Sequence, residues 1–319
     1  MPQASALLTR FAAAMPNVSS SYRGRFAPSP TGALHFGSLV GALASYLDAR
    51  HHQGQWVVRI EDIDPLREPP GAADEILRTL EAHALHWDEP ILYQSNRSAA
   101  YEAALAELLS SDQAYYCPCS RKDLTDADGR HTEACQRQEI DRTQPLAIRF
   151  RIRSGQLCLK DRIQGPLEFN LVGEKDDFVL KRKEGFYAYQ LAVVVDDAEQ
   201  NITHVVRGCD LIDSLPWQHS LQIALKLPHP IYAHVPVITN LEGQKLSKQS
   251  HSPALCNSEA SANLSRALHA LELPPPTELK GAPPHELLHW AVPLWNPSRL
   301  QACRCISEVK LTLTDPSTS

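Results

Sequence analysis

The chain has 319 residues, 43% of them hydrophobic and 21% charged, with a formal net charge of -6. This is the composition of an ordinary globular protein with one large core or two to three smaller units. It argues against a wholesale polyanion binder while leaving room for a local basic face. No run of about 18 apolar residues exists to span a membrane, and the eight cysteines lack the spacing of a disulfide scaffold, so reduced thiols and a cytoplasmic location are expected.

Met1 to Tyr22 is small, polar and weakly apolar, without the lysine-rich start or long apolar stretch of a secretory signal. It reads as a disordered tail, with Met15 as an alternative start. Arg23 to Ala27 reads as a first strand, and Ser38 to His52 as a helix with Leu39, Val40, Leu43 and Leu47 on one face and Gly54 as its stop. Gln55 to Ile60 is a second strand, followed by the acidic loop Glu61 to Asp64. Helices are expected around Ala72–His86 and Arg97–Ser110, the latter capped by Ser95 or Asn96. Strand, helix, strand and helix at these lengths imply a parallel sheet.

From Gln113 to about Gly185 helical periodicity fades. This stretch holds four of the cysteines and the segment Leu146 to Arg153, in which apolar residues alternate with Arg149, Arg151 and Arg153. That period fits a strand with one buried and one basic side, either a nucleic-acid face or a merely solvated one. Tyr189 to Val195 is nearly continuous in apolar residues and reads as a strand buried on both faces. Ile202–Arg207 is a further strand, Leu211–Leu227 a helix, and two short helices lie near Ala260–Leu271 and His285–Trp295. The economical arrangement is a tail (1–22), the first half of a doubly wound domain (23–112), an insertion (113–185), the second half (186–229) and a proline-rich C-terminal part (230–319).

Two segments carry phosphate chemistry. In Arg25-Phe-Ala-Pro-Ser-Pro-Thr-Gly-Ala-Leu-His-Phe-Gly-Ser38, Gly32 and Gly37 permit close backbone approach, and His35 stands where a strand hands over to a helix. Alone this is a weak signal and reads first as a structural turn. Lys245-Leu-Ser-Lys-Gln249 adds two ammonium groups flanking a serine in a loop, and lysine is a point charge able to follow a phosphate. A third constellation, Cys117-Pro-Cys119 with His131 and Cys135, offers three thiolates and one imidazole. That donor set suits a closed, tetrahedral, structural zinc site, with Asp126 and Asp128 as competing ligands.

The first segment resembles the first signature of the glutamyl branch of class I aminoacyl-tRNA synthetases, and Lys245 to Gln249 resembles a variant of the second. Arg59-Ile-Glu-Asp-Ile-Asp64, Tyr187 to Asp197 and Val206-Arg-Gly-Cys-Asp-Leu211 are similar to further motifs of that branch. The resemblance runs from about Arg23 to Trp295. It implies an α/β fold: a class I synthetase Rossmann-type doubly wound parallel sheet with a zinc-containing insertion and a small C-terminal helical part. A chain ending at Ser319 would lack an anticodon-binding part, which resembles the glutamyl-queuosine tRNA(Asp) synthetases.

Carried onto matching positions, the resemblance implies that Arg25 and Arg207 pair with the carboxylates of glutamate and that Glu61 receives its ammonium. Ser29 and Tyr189 would add neutral hydrogen bonds, with Phe26, Ala27 and Pro28 completing the wall. His35, Gly37, Ser38, Lys245, Ser247 and Lys248 would face ATP, with His35, Lys245 and Lys248 acting on its phosphates and Mg2+ accompanying it. The family often has tyrosine where His131 stands, and histidine is the better zinc ligand. The implied partners are ATP, L-glutamate and tRNA(Asp) bearing queuosine, with no membrane and no obligate protein partner. Rival readings are a shortened glutamyl-tRNA synthetase, a non-catalytic zinc-stabilised RNA-binding module, and a nucleotidylyltransferase.

Overall fold

In the computed structural model, residues 21–126, 129, 131, 135, 140–240, 253–300 and 302–307 are described. Strands β1 (Arg23–Phe26), β2 (Gln55–Ile60) and β3 (Leu92–Tyr93) form a parallel sheet in that order. Between the first two runs α1 (Phe36–His51), whose Leu39, Leu43 and Leu47 are fully buried. The stop of α1 differs from expectation. Gln53, not Gly54, takes the left-handed φ of 53°, while Gly54 is required because a Cβ there would lie 2.3 Å from the Tyr22 carbonyl oxygen. Tyr22 is no part of a loose tail: it is buried, and its hydroxyl donates to Asp48.

Helices α2 (Ala72–Ala82) and α3 (Ser98–Ser110) follow where the pattern puts them. The caps expected for α3 are not used. Ser95 and Asn96 lie in a 3-10 turn, and Ser95 donates both its backbone N–H and its hydroxyl to Asp62. Beyond α3 the chain turns antiparallel. β4 (Ala114–Cys117) leads into α4 (Arg121–Asp126), and then β5 (Ala147–Phe150) pairs with β4. β6 (Gly155–Asp161) and β7 (Gly165–Leu171) form a hairpin, and β8 (Phe178–Lys181) pairs with β5. Ile148, Phe150 and Ile152 point inward as the alternation predicts. On the other side Arg149 donates to the Asp177 carbonyl and Arg151 lies 4.4 Å from the Tyr115 ring centroid, so two of the three arginines have partners within the fold.

Tyr189 to Val195 is not a strand. It opens α5 (Tyr189–Glu199), with extended Ala188 at its N-cap and the Ala188 N–H donated to the Leu180 carbonyl of β8. Leu191, Ala192, Val193 and Val194 are all buried because the helix is wrapped by α3, β8 and α6 (Leu215–Ala224). A helix covered on most sides loses its amphipathic period, and seven apolar residues cannot then distinguish it from a buried strand. The helix expected over Leu211–Leu227 is likewise shorter, since Cys209–Ser214 winds as 3-10 before α6.

β9 (His204–Gly208) and β10 (Ile231–Val235) pair in parallel, and β9 lies beside β1 through the Thr203 N–H donated to the Arg23 carbonyl at 3.0 Å. The two parallel sheets, β3-β2-β1 and β9-β10, thus lie edge to edge, with α1 packed over β1 and β9. β11 (Val237–Thr239), α7 (Ala260–Ala270), α8 (Pro284–Leu294) and β12 (Cys305–Ser307) complete the described chain. Both α7 and α8 share the α1 core, and β11 pairs with β12. Among the described residues no helix is long and apolar enough to cross a membrane.

Candidate active site and metal centre

The ends of β1, β2 and β9 and the start of α5 converge. Arg25 and Arg207 are 4% and 5% exposed and Glu61 6%, while Tyr189 is half-buried. Asp197, from the last turn of α5, holds the group together. Its Oδ1 accepts from Arg59 Nη2 at 2.7 Å and from Arg25 Nε at 3.3 Å. Arg59, fully buried, also reaches Gln200 Oε1 at 2.7 Å. Among the described residues Arg25 has no partner for its two terminal nitrogens, which carry four N–H donors.

Glu61 is tied at its backbone, whose N–H donates to the Pro28 carbonyl at 3.0 Å. Its side-chain Oε1 is buried, has no hydrogen-bond partner and stands 3.6 Å from Arg59 Nη2. Burial pushes its pKa up to about 7, against the pull of Arg59 and Arg25. Tyr189 is pushed up by burial as well, and its hydroxyl feels Arg207, Glu61 and Arg25 together. The geometry therefore leaves buried guanidinium N–H donors and a carboxylate oxygen without hydrogen bonds, groups chemically able to meet a ligand's carboxylate and ammonium.

Other expected site residues follow along the end of β1 and the loop into α1. Phe26 is half-buried and stacks on Trp56 with ring centroids 6.4 Å apart, Ala27 is half-buried, Pro28 buried and Ser29 exposed. His35 caps α1, with Nδ1 accepting from the Ser38 N–H at 3.3 Å and Nε2 facing the Ser38 hydroxyl at 3.0 Å. Gly37 and Ser38 form the first turn of that helix, so the backbone N–H groups of a helix start are presented at this end. Lys245, Ser247 and Lys248 lie outside the described residues.

Sequence reasoning missed Arg59, Asp197 and their neighbours as parts of the site. The available signal was the adjacent acidic pair Asp196-Asp197 closing an apolar run. In α5 the two carboxylates face opposite ways, Asp196 taking Gln94, Arg97 and Tyr101 while Asp197 takes Arg25 and Arg59.

The second constellation is the cysteine cluster. Cys117, Cys119, His131 and Cys135 are buried, and their donor atoms all lie within 4.8 Å of one another. His131 Nδ1 is 3.3, 3.6 and 3.4 Å from the sulfurs of Cys117, Cys119 and Cys135. One ring nitrogen has a single proton or a single lone pair and cannot serve three sulfurs. A central tetrahedral ion with ordinary metal–nitrogen and metal–sulfur bonds would set nitrogen and sulfur ~3.6 Å apart. The four residues therefore fit a metal ion. Hydrogen bonding from Cys135, then from His131, holds the Cys117 thiol low, so that one sulfur already favours the thiolate form. Behind the ring, Tyr115 Oη sits 2.9 Å from His131 Nε2 and donates to Asp177 Oδ2 at 2.7 Å, fixing the imidazole from outside. Of the competing ligands, Asp126 is exposed and outside this group, and Asp128 lies outside the described residues.

Comparison with known proteins places this arrangement. A family model described as tRNA synthetases class I (E and Q), catalytic domain, matches residues 21–263. A glutamyl-Q tRNA(Asp) synthetase of Ectopseudomonas mendocina is 49% identical over 294 residues, covering 92% of this chain and all of the relative. The protein of the same name from Thiobacillus denitrificans is 52% identical over 280 residues, 86% of this chain and 93% of the relative. Among solved structures, the glutamate-tRNA synthetase of Elizabethkingia anophelis matches with TM-score 0.74 and 26% identity, over 92% of this chain and 70% of that one. A glutamate tRNA ligase of Elizabethkingia meningosepticum, in complex with its amino acid, matches with TM-score 0.72 and 25% identity, and the chain spans 66% of its length. With its parallel sheet, its helix-start signature and more than two thirds of its length matched, the chain belongs to the class I tRNA synthetases of the glutamate and glutamine type, a family of ligases.

Proposed function

We propose that this chain activates glutamate with ATP and transfers the glutamyl group to the queuosine base of tRNA(Asp). The observation that carries the glutamate reading is the buried Glu61 Oε1, which has no hydrogen bond and feels the charges of Arg59, at 3.6 Å, and Arg25. A ligand ammonium supplies the missing partner of Glu61, and the ligand's two carboxylates supply the missing partners of Arg25 and a further acceptor for Arg207. Tyr189 and Ser29 complete the pose, with Phe26, Ala27 and Pro28 as the wall. The acceptor reading rests on the relatives named glutamyl-Q tRNA(Asp) synthetase, which this chain matches along their whole length.

In the first step a carboxylate oxygen of glutamate attacks the α-phosphorus of ATP and pyrophosphate leaves. His35, Gly37 and Ser38 at the start of α1, with Lys245, Ser247 and Lys248, bear the charge that builds on the phosphates, and Mg2+ enters with ATP. In the second step a queuosine hydroxyl oxygen attacks the acyl carbon, AMP leaves, and an ester remains. No covalent enzyme intermediate is required. Residues 113–185 act as the insertion that presents the anticodon loop, and the Cys117, Cys119, His131, Cys135 cluster holds one structural zinc within it. A reaction on ATP and tRNA fits a cytoplasmic location.

Glutamate-dependent ATP–pyrophosphate exchange without tRNA tests the first step, and its absence with and without tRNA sinks the proposal. Glutamate acceptance by queuosine-containing but not queuosine-free tRNA(Asp) tests the second. Charging of tRNA(Glu) at its 3' end would favour the kind of activity for which the two Elizabethkingia proteins are named. Metal analysis is expected to find about one zinc per chain.

A further inference from the structure

Arg207 is held by a chain of buried groups that begins in the antiparallel region. Arg207 on β9 and His234 on β10 are direct register partners, so their side chains share one face of the sheet. Arg207 Nε lies 3.0 Å from His234 Nε2, and His234 Nδ1 lies 2.7 Å from Asp161 Oδ2. Asp161 closes strand β6, and its Oδ1 accepts three backbone N–H groups, from Gln164 at 2.8 Å, Ile163 at 2.9 Å and His234 at 3.2 Å. His234 is fully buried and Asp161 2% exposed.

These contacts leave one arrangement of protons. A guanidinium Nε always donates and an ionised carboxylate only accepts. The proton of His234 must therefore sit on Nδ1, and its Nε2 must present a lone pair to Arg207. Burial also disfavours the charged imidazole. Arg207 is pinned further by Nη1 to Gln218 Oε1 at 2.8 Å and Nη2 to the Leu211 carbonyl at 3.3 Å, with its guanidinium 5.1 Å from the Tyr232 ring centroid. Of its five N–H donors, one on each terminal nitrogen remains for a ligand.

We infer that Asp161 and His234 are positioning residues for glutamate selection: through the forced tautomer of His234, the β6–β7 hairpin fixes the plane in which Arg207 meets the substrate carboxylate. This rests on the reading that Arg207 binds glutamate. A residue of the segment assigned to tRNA presentation thereby sets the geometry of the amino-acid pocket, 46 positions away in sequence.

The chemistry distinguishes this from mere packing. In Asp161→Asn, Oδ1 stays on the three backbone N–H groups and the amide turns N–H toward His234 Nδ1. The ring proton moves to Nε2 and meets the Arg207 Nε–H donor to donor. In His234→Leu the acceptor disappears, whereas His234→Gln keeps an acceptor for Arg207. In glutamate-dependent ATP–pyrophosphate exchange, Asp161→Asn and His234→Leu are expected to raise the KM for glutamate about tenfold or more. The KM for ATP should stay within about twofold, and His234→Gln should fall between wild type and His234→Leu. Because the route runs through Arg207, His234→Leu should add nothing once Arg207→Ala is present.

Equal rises in both KM values, or additive effects with Arg207→Ala, would show a structural role and overturn the inference. If Arg207→Ala raises the glutamate KM while Asp161→Asn and His234→Leu leave it unchanged, the positioning role fails and the glutamate reading stands. If Arg207→Ala itself leaves that KM unchanged, the reading of Arg207 fails first. A measurement on the unaltered chain needs no variant to fold: 15N NMR of the His234 ring should show Nδ1 protonated and Nε2 bare, and the reverse tautomer overturns the proposal.

Discussion

Asp48 and Glu61 are both buried carboxylates of the same sheet-and-helix layer, and they are paired to opposite degrees. Asp48, at the C-terminal end of α1, is satisfied from every side. Arg162 donates to both of its oxygens, Trp295 Nε1 donates at 2.8 Å, and the Tyr22 hydroxyl donates as well. Burial pushes its pKa up, but these partners, Arg162 foremost, outweigh burial and hold it below the usual range. It joins the start of the described chain, the β6–β7 turn and the end of α8. Glu61 has charges nearby yet keeps an oxygen without a hydrogen bond, and burial prevails. A fully paired buried charge is a fastener, and a half-paired one is a place where a ligand gains by binding.

The sharpest way to break that contrast is to neutralise each carboxylate in turn. Asp48→Asn leaves the partly exposed Arg162 against a neutral amide and should lower unfolding stability by about 2–3 kcal/mol in urea titrations, while the KM for glutamate of the folded fraction is unchanged. A change in that KM would mean that Asp48 belongs to the site. The pH dependence comes next. Glu61 has a folded pKa raised from 4.5 to about 7, so the folded chain holds a proton that the unfolded chain has released. Its contribution to stability is complete below pH 4.5 and is lost as pH rises through 7, by on the order of 3 kcal/mol in total. Unfolding titrations between pH 4.5 and 7.5 should show this decline in the wild type and a flatter profile in Glu61→Gln. A decline of equal size in both would assign it elsewhere.

Glu61→Gln should also lower kcat/KM for glutamate about 100-fold in the exchange assay without loss of stability at pH 7.5. An unchanged value would remove the ammonium role. The smallest effect concerns the loop beyond Glu61. Ser95→Ala deletes one exposed hydroxyl bond to Asp62 and should cost about 0.5–1 kcal/mol of stability and nothing in exchange.

Much of the fold is legible in the sequence because its signals are local. β1, α1 and β2 announce themselves through apolar period, and the Cys-x-Cys-x11-His-x3-Cys spacing marks four residues that do meet in space, whereas the capping of α1 by His35 emerges only in the structure. The errors share one cause. α5 carries no period because α3, α6 and β8 cover it on most sides, and Ser95 prefers Asp62 over capping duty because the acidic loop folds back upon it.

The sequence by itself determined which residue types could bind a carboxylate, a phosphate and a metal, since side-chain chemistry and short spacings are written in the chain. Only the tertiary structure decided how they are paired. Asp197 lies 172 positions from Arg25, and Asp161 lies 73 from His234, yet each pair is in direct contact. A carboxylate's role, fastener or receptor, depends on how many donors folding brings to it. That number is set by the packing of β1, β2, β9 and α5, which no local pattern records.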